Sequence, residues 1–145
     1  MKKLKNFHLV RNVLRNVNGL RIGFIDYFTD NSWIKEFKEK DPNKIKSAKK
    51  KTQKIKDILK NFGKVDILVT HVPPYKILDK VNFPGAPKHW QGKHAGSKII
   101  LDYVKKHPPK YCIFGHIHEG KGKKKIGKTT FINAGVSGDY YVIEM

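Results

Sequence analysis

Two short apolar runs separated by one amphipathic stretch constrain this chain more than any other feature. Val65-Asp66-Ile67-Leu68-Val69-Thr70 and Tyr111-Cys112-Ile113-Phe114 each read as a compact buried strand, the second bounded by Pro109 and Gly115. Between them, Ala95 to Lys106 places Ile99, Ile100, Tyr103 and Val104 on one side and reads as a helix ended by His107-Pro108-Pro109. Strand, crossover helix and strand make a parallel neighbouring pair, whose C-terminal ends lie side by side. Parallel strands need helices over their faces. The fold class is therefore α/β, a sheet flanked by helices, with ligands expected at the strand ends.

The rest of the chain fits that plan. Asn18-Gly19 is a hairpin dipeptide, followed by a strand-like alternation over Leu20 to Tyr27, with Val13 to Val17 as its antiparallel partner. Residues 1–18 are otherwise open between a strand pair and a helix. From Phe28 to Asp41 the pattern is irregular, anchored by Trp33, Ile34 and Phe37. Asp41-Pro42 opens a helix from Asn43 to Asn61, with Ile45, Ala48, Thr52, Ile55, Leu59 and Phe62 on one face and Gly63 at its end. His71 to Lys93 carries Pro73, Pro74, Pro84, Pro87, Gly85 and Gly92, and loops of that length in compact domains usually serve function. Two closing strands are expected, Lys128 to Asn133 and Tyr140 to Glu144.

A length of 145 residues reads as a single domain spanning 1–145 with room for a real core. Runs such as Val65 to Val69 are far too short to cross a membrane, and no signal-peptide pattern follows Met1. A single cysteine, Cys112, excludes an internal disulfide and a four-cysteine zinc site, so a reducing cytoplasm is the expected location. Lys+Arg 31 against Asp+Glu 12 gives a formal charge of +19, a field that attracts polyanions and phosphorylated substrates. Nearly all of this charge is lysine scattered along the chain. Arginine interleaved with aromatics, the pattern of specific nucleic-acid readers, is missing, so a solvated basic face is favoured over a nucleic-acid role.

The chemistry-bearing residues gather at the strand ends. His71 closes the first apolar run, and Gly115-His116-Ile117-His118-Glu119-Gly120 follows the second. Gly115 is read as releasing the chain from its strand in a conformation that a Cβ would oppose. His116 and His118 sit two apart, and in extended backbone such residues point the same way. The topology then brings His71, His116 and His118 to one sheet edge, where converging neutral imidazoles suit a metal ion. Asn133 and Gly135 are candidates for shaping that site, through an amide and a close backbone approach. His94 is read as lying just before a helix N-terminus, a natural phosphate site, and as a candidate substrate contact.

Thr70-His71-Val72-Pro73-Pro74, Gly115-His116-Ile117-His118 and Asn133-Ala134-Gly135, in that order and at that separation, resemble the later motifs of the calcineurin-like metallophosphoesterases. The segment His94-Ala95-Gly96-Ser97 is also similar to small members of that family. The resemblance covers the chain from about the Asn18-Gly19 turn onward. It implies a calcineurin-like phosphoesterase sandwich and a binuclear centre hydrolysing a phosphoester substrate. His71 and His116 would ligate one divalent metal and His118 the other, the metals being manganese, iron, nickel or zinc. Two such cations clamp phosphoryl oxygens during in-line displacement.

The family's earlier motifs supply an Asp-x-His, a bridging Gly-Asp and a Gly-Asn-His-Asp, and none of these precedes Thr70 here. The expectation is a partial sandwich lacking its N-terminal part, with half of a binuclear site. Three readings follow: a fragment of a longer or split frame, a subunit completed by a partner, or a degenerate relative. Asp26 and Glu119 are the local carboxylates available as substitutes, although neither occupies a family position. The rival functions are a non-catalytic scaffold on the same fold and a lysine-rich nucleic-acid binder.

Overall fold

The computed structural model describes residues 10–136 and 141–145. One six-stranded sheet has the order β1-β2-β3-β4-β6-β5, built from β1 (Val13–Val17), β2 (Leu20–Ile25), β3 (Ile67–Thr70), β4 (Tyr111–Phe114), β5 (Gly122–Ile126) and β6 (Thr129–Asn133). The inner strands β2, β3, β4 and β6 run parallel, and both edge strands run antiparallel to their neighbours. The β3/β4 pairing expected from the two apolar runs is present, with Ile67 opposite Tyr111 and Leu68 opposite Cys112.

Local chemistry accounts for the elements. The β1–β2 turn needs two residues at positive φ, and Asn18 and Gly19 supply 50° and 83°. Three α-helices follow among the described residues: α1 (Ser32–Glu36), α2 (Pro42–Phe62) and α3 (Lys98–Lys106). Asp41 caps α2 by accepting from the N–H groups of Asn43 and Lys44. Helix α3 begins later than the sequence suggests, because the Ser97 hydroxyl accepts from the Ile100 N–H and takes the cap position. The backbone just before the cap is tightly packed, since a Cβ on Gly96 would sit 2.5 Å from the Pro74 carbonyl oxygen.

Two other expectations are corrected. The chain from Gly122 to Ile126 is an edge strand, joined to β6 by Gly127-Lys128, with Gly127 at φ 57°. The expected closing strand falls partly on Tyr140, outside the described residues, and residues 141–144 form no ladder. Tyr141 and Ile143 instead pack beside Tyr111 and Ile132, and the Tyr111 hydroxyl donates to the Glu144 carbonyl at 2.9 Å.

Helices α2 and α3 cover one face of the sheet. Ile55, Leu59, Phe62, Ile100, Tyr103 and Val104 pack there against Leu68, Cys112, Phe114 and Phe131. Leu68 and Ile100 are fully buried, each a gain of about 1.5–3 kcal/mol over exposure. The opposite face gathers Ile67, Tyr111 and Ile132, with Ile22, Val69 and Ile113 half-buried around them. The C-terminal ends of the parallel strands are thereby held rigidly side by side. No helix among the described residues is long and apolar enough to cross a membrane.

Candidate metal centre

Pairing continues one residue past the strands. The His71 N–H donates to the Ile25 carbonyl at 3.0 Å, and the Gly115 N–H donates to the His71 carbonyl at 3.3 Å. His71 is thus fixed at the sheet edge between β2 and β4. Gly115 does not play the part read from sequence, because a Cβ there would meet only the Gly135 carbonyl oxygen, at 3.9 Å. The unusual backbone belongs to His116, at φ 67°. It sits in a three-residue turn closed by the Ile117 N–H on the Gly115 carbonyl at 2.8 Å. Positive φ at a residue with a side chain is strained by about 1–3 kcal/mol and tends to mark functional sites.

That turn leaves His71 Nε2 and His116 Nδ1 3.3 Å apart. Two nitrogens each about 2.0–2.1 Å from one divalent ion, at a near-tetrahedral angle, are separated by about 3.3 Å. The separation matches two corners of one metal's coordination shell, and it is also the distance of a hydrogen bond between the two imidazoles in one tautomer. His118 is arranged differently from the extended-strand expectation. It opens a 3₁₀ turn over His118–Gly120 and is exposed. Among the described residues no group of three His, Cys, Asp or Glu side chains converges. The candidate carboxylates are also engaged elsewhere. Asp26 pairs with Arg11 at 3.6 Å and accepts from the Tyr27 N–H at 2.8 Å, and Glu119 accepts from the Asn82 N–H at 3.0 Å.

Aromatic rings flank the imidazole pair, in which His71 is exposed and His116 half-buried. Tyr27 lies 5.4 Å from both rings, and Trp33 stacks on His116 at 6.0 Å with an interplanar angle of 6°. Trp33 is locked by its indole N–H, which donates to the Gly96 carbonyl at 3.2 Å. Burial, then the neighbouring charges of His71 and His118, holds the His116 pKa below 6.5. Neutral imidazole, the form that binds metal, is therefore favoured at pH 7. The folded chain resists protonation here, so this group's contribution to stability is intact above pH 6.5 and is lost as pH falls below it. NMR titration of the metal-free chain should place His116 below 6.5, and a midpoint at or above that value contradicts the assignment.

Asn133 is fully buried and clasps three segments. Its amide donates to the carbonyls of Leu78 at 2.9 Å and Ile117 at 2.8 Å, while its Oδ1 accepts from the Gly135 N–H at 3.0 Å. Gly135 packs tightly as well, since a Cβ there would lie 3.0 Å from the Lys121 side chain. His94 is not at the α3 N-terminus. Its Nδ1 lies 2.7 Å from Oδ1 of the buried Asp79, whose Oδ2 accepts from the N–H groups of Lys76 and Gly96. Asp79 and Gly120, where a Cβ would lie 2.1 Å from the Leu78 carbonyl oxygen, are tightly held residues that the sequence reading passed over.

A model of the calcineurin-like phosphoesterase family matches residues 3–120. The chain belongs to the calcineurin-like phosphoesterase family. Metallophosphoesterase domain-containing protein 1 of Homo sapiens is 44% identical over 73 residues, 50% of this chain and 20% of its own length. A UPF0046 protein of Caenorhabditis elegans is 43% identical over 70 residues, 48% of this chain and 16% of its own length. The matched part thus spans a fifth or less of the length of these two relatives. One crystal structure shares the fold with a TM-score of 0.55 at 18% identity, over 88% of this chain and 46% of that chain. The mixed six-stranded sheet with its helices is consistent with this family.

Proposed function

We propose that this calcineurin-like phosphoesterase takes part in metal-dependent hydrolysis of phosphoesters, with His71 and His116 holding one divalent ion and His118 contributing to a second. The observation that carries the reading is the 3.3 Å approach of His71 Nε2 to His116 Nδ1 across two parallel strand ends, maintained by a strained turn at His116. Divalent ions bound there supply Lewis acidity toward phosphoryl oxygens and a nucleophile at neutral pH. The chain's own residues position and shield. Ile25, His71 and Gly115 fix the sheet edge, Asn133 ties the loops beside it, Trp33 covers one face of His116, and Tyr27 lies against both imidazoles. The surplus of 31 basic over 12 acidic residues favours anionic esters.

The test is hydrolysis of a phosphodiester by the manganese-loaded chain. Activity should be lost in His71→Ala and in His116→Ala alike, and activity that survives both substitutions overturns the proposal.

A further inference from the structure

Beside the histidine pair, between α1, α2 and the 81–95 loop, lies a cavity of about 800 Å³, within the range of small-molecule sites. His116 belongs to its wall, so the cavity borders the candidate metal centre on the His116 side. Five aromatic side chains line it, Tyr27, Trp33, Phe37, Phe83 and Trp90, among aliphatic and polar residues. Trp33 meets Phe37 edge to face at 6.3 Å, and Phe37 meets Trp90 at 5.1 Å. Phe83 is 58% exposed and Trp90 40% exposed, so two of these lining rings keep much apolar surface open to solvent. Lys44 and Lys51 bring positive charge to the lining on the α2 side, where Lys44 also pairs with Glu39 at 3.7 Å.

We propose that this cavity is a specificity pocket for the flat, apolar organic group of a phosphoester whose phosphoryl end lies at His71 and His116. The inference rests on the phosphoesterase reading and adds a substrate class to it. Three features select an aromatic ester over a compact polar one. Five aromatic rings in the lining offer faces and edges, which bind flat groups by offset and edge-on contacts. Trp33 cannot swing away, because its indole N–H is bound to the Gly96 carbonyl. It also stacks directly on His116, so a group lying along Trp33 is one ring away from the imidazole pair.

The chain carries its own reporter, because both of its tryptophans, Trp33 and Trp90, line the cavity. Metal-free full chain would be titrated with phenylphosphonate and with methylphosphonate while tryptophan emission is followed. Phenylphosphonate should give a saturable change at a concentration at least about tenfold lower than methylphosphonate. Ser47→Phe fills the cavity from an exposed helix position, and Trp90→Ala removes a wall. Each should weaken phenylphosphonate by about tenfold and leave methylphosphonate unchanged. Equal affinity for both probes, or no saturable change, overturns the pocket.

Hydrolysis separates this inference from the one beneath it. Binding of phenylphosphonate without hydrolysis of phenyl esters under manganese keeps the pocket and removes the hydrolase reading. Hydrolysis of phenyl and methyl esters with equal kcat/KM keeps the hydrolase and removes the pocket.

Discussion

Asn133→Ala is expected to lower the unfolding free energy by about 2–4 kcal/mol, because each buried polar group left unpaired costs about 1–3 kcal/mol. Two partners are stranded at once, the Leu78 carbonyl and the Gly135 N–H, while the Ile117 carbonyl loses one donor and keeps the Gly120 N–H at 3.0 Å. The residue is fully buried, so water cannot replace the lost amide without rearrangement. Asn133→Asp should be no milder near neutral pH, since an ionised carboxylate only accepts and would face two carbonyls. Urea denaturation of the three proteins checks this, and a loss below about 1 kcal/mol for Asn133→Ala would show that the clasp is dispensable. Ile117 follows His116 directly, so metal affinity should fall by about 10–100-fold as well, the usual effect of removing a group that orients a ligand.

The second large effect is expected at Gly120. A Cβ there would lie 2.1 Å from the Leu78 carbonyl oxygen, 2.7 Å from the Leu78 carbonyl carbon and 3.0 Å from the Asn133 amide nitrogen. The first two are backbone atoms, which cannot swing aside as a flexible side chain would. Leu78 already sits at φ 51°, so the loop has little freedom to absorb the displacement. Gly120→Ala should cost about 3 kcal/mol, the upper part of the usual overpacking range, measured by urea denaturation. Both substitutions break the same hold on Leu78. The double variant should therefore lose less than the sum of the two singles.

The framework of the fold was legible because its signals are local and strong. The apolar runs at β3 and β4, the 3.6-residue pattern of α2 and the Asn18-Gly19 turn each determine one element without help from distant residues. Strand β5 was hidden because Lys123, Lys124 and Lys125 face solvent on a sheet edge, where hydrophobic alternation is not required. At the site, sequence located His71 and His116 through topology. It placed the strained backbone on Gly115 instead of His116, since composition favours glycine for positive φ and only the closed turn shows which residue carries it. Asp79 and Gly120 act through contacts with residues distant in sequence, Gly96 and Leu78, and no local pattern marks them.

The measurement that tests the central claim most directly is bound metal per chain after reconstitution with manganese, for the native protein and for His116→Ala. The account expects bound metal in the native chain and its loss in the variant, with the fold intact by circular dichroism. Equal metal in both proteins, or none in either, would contradict a metal centre built on His71 and His116.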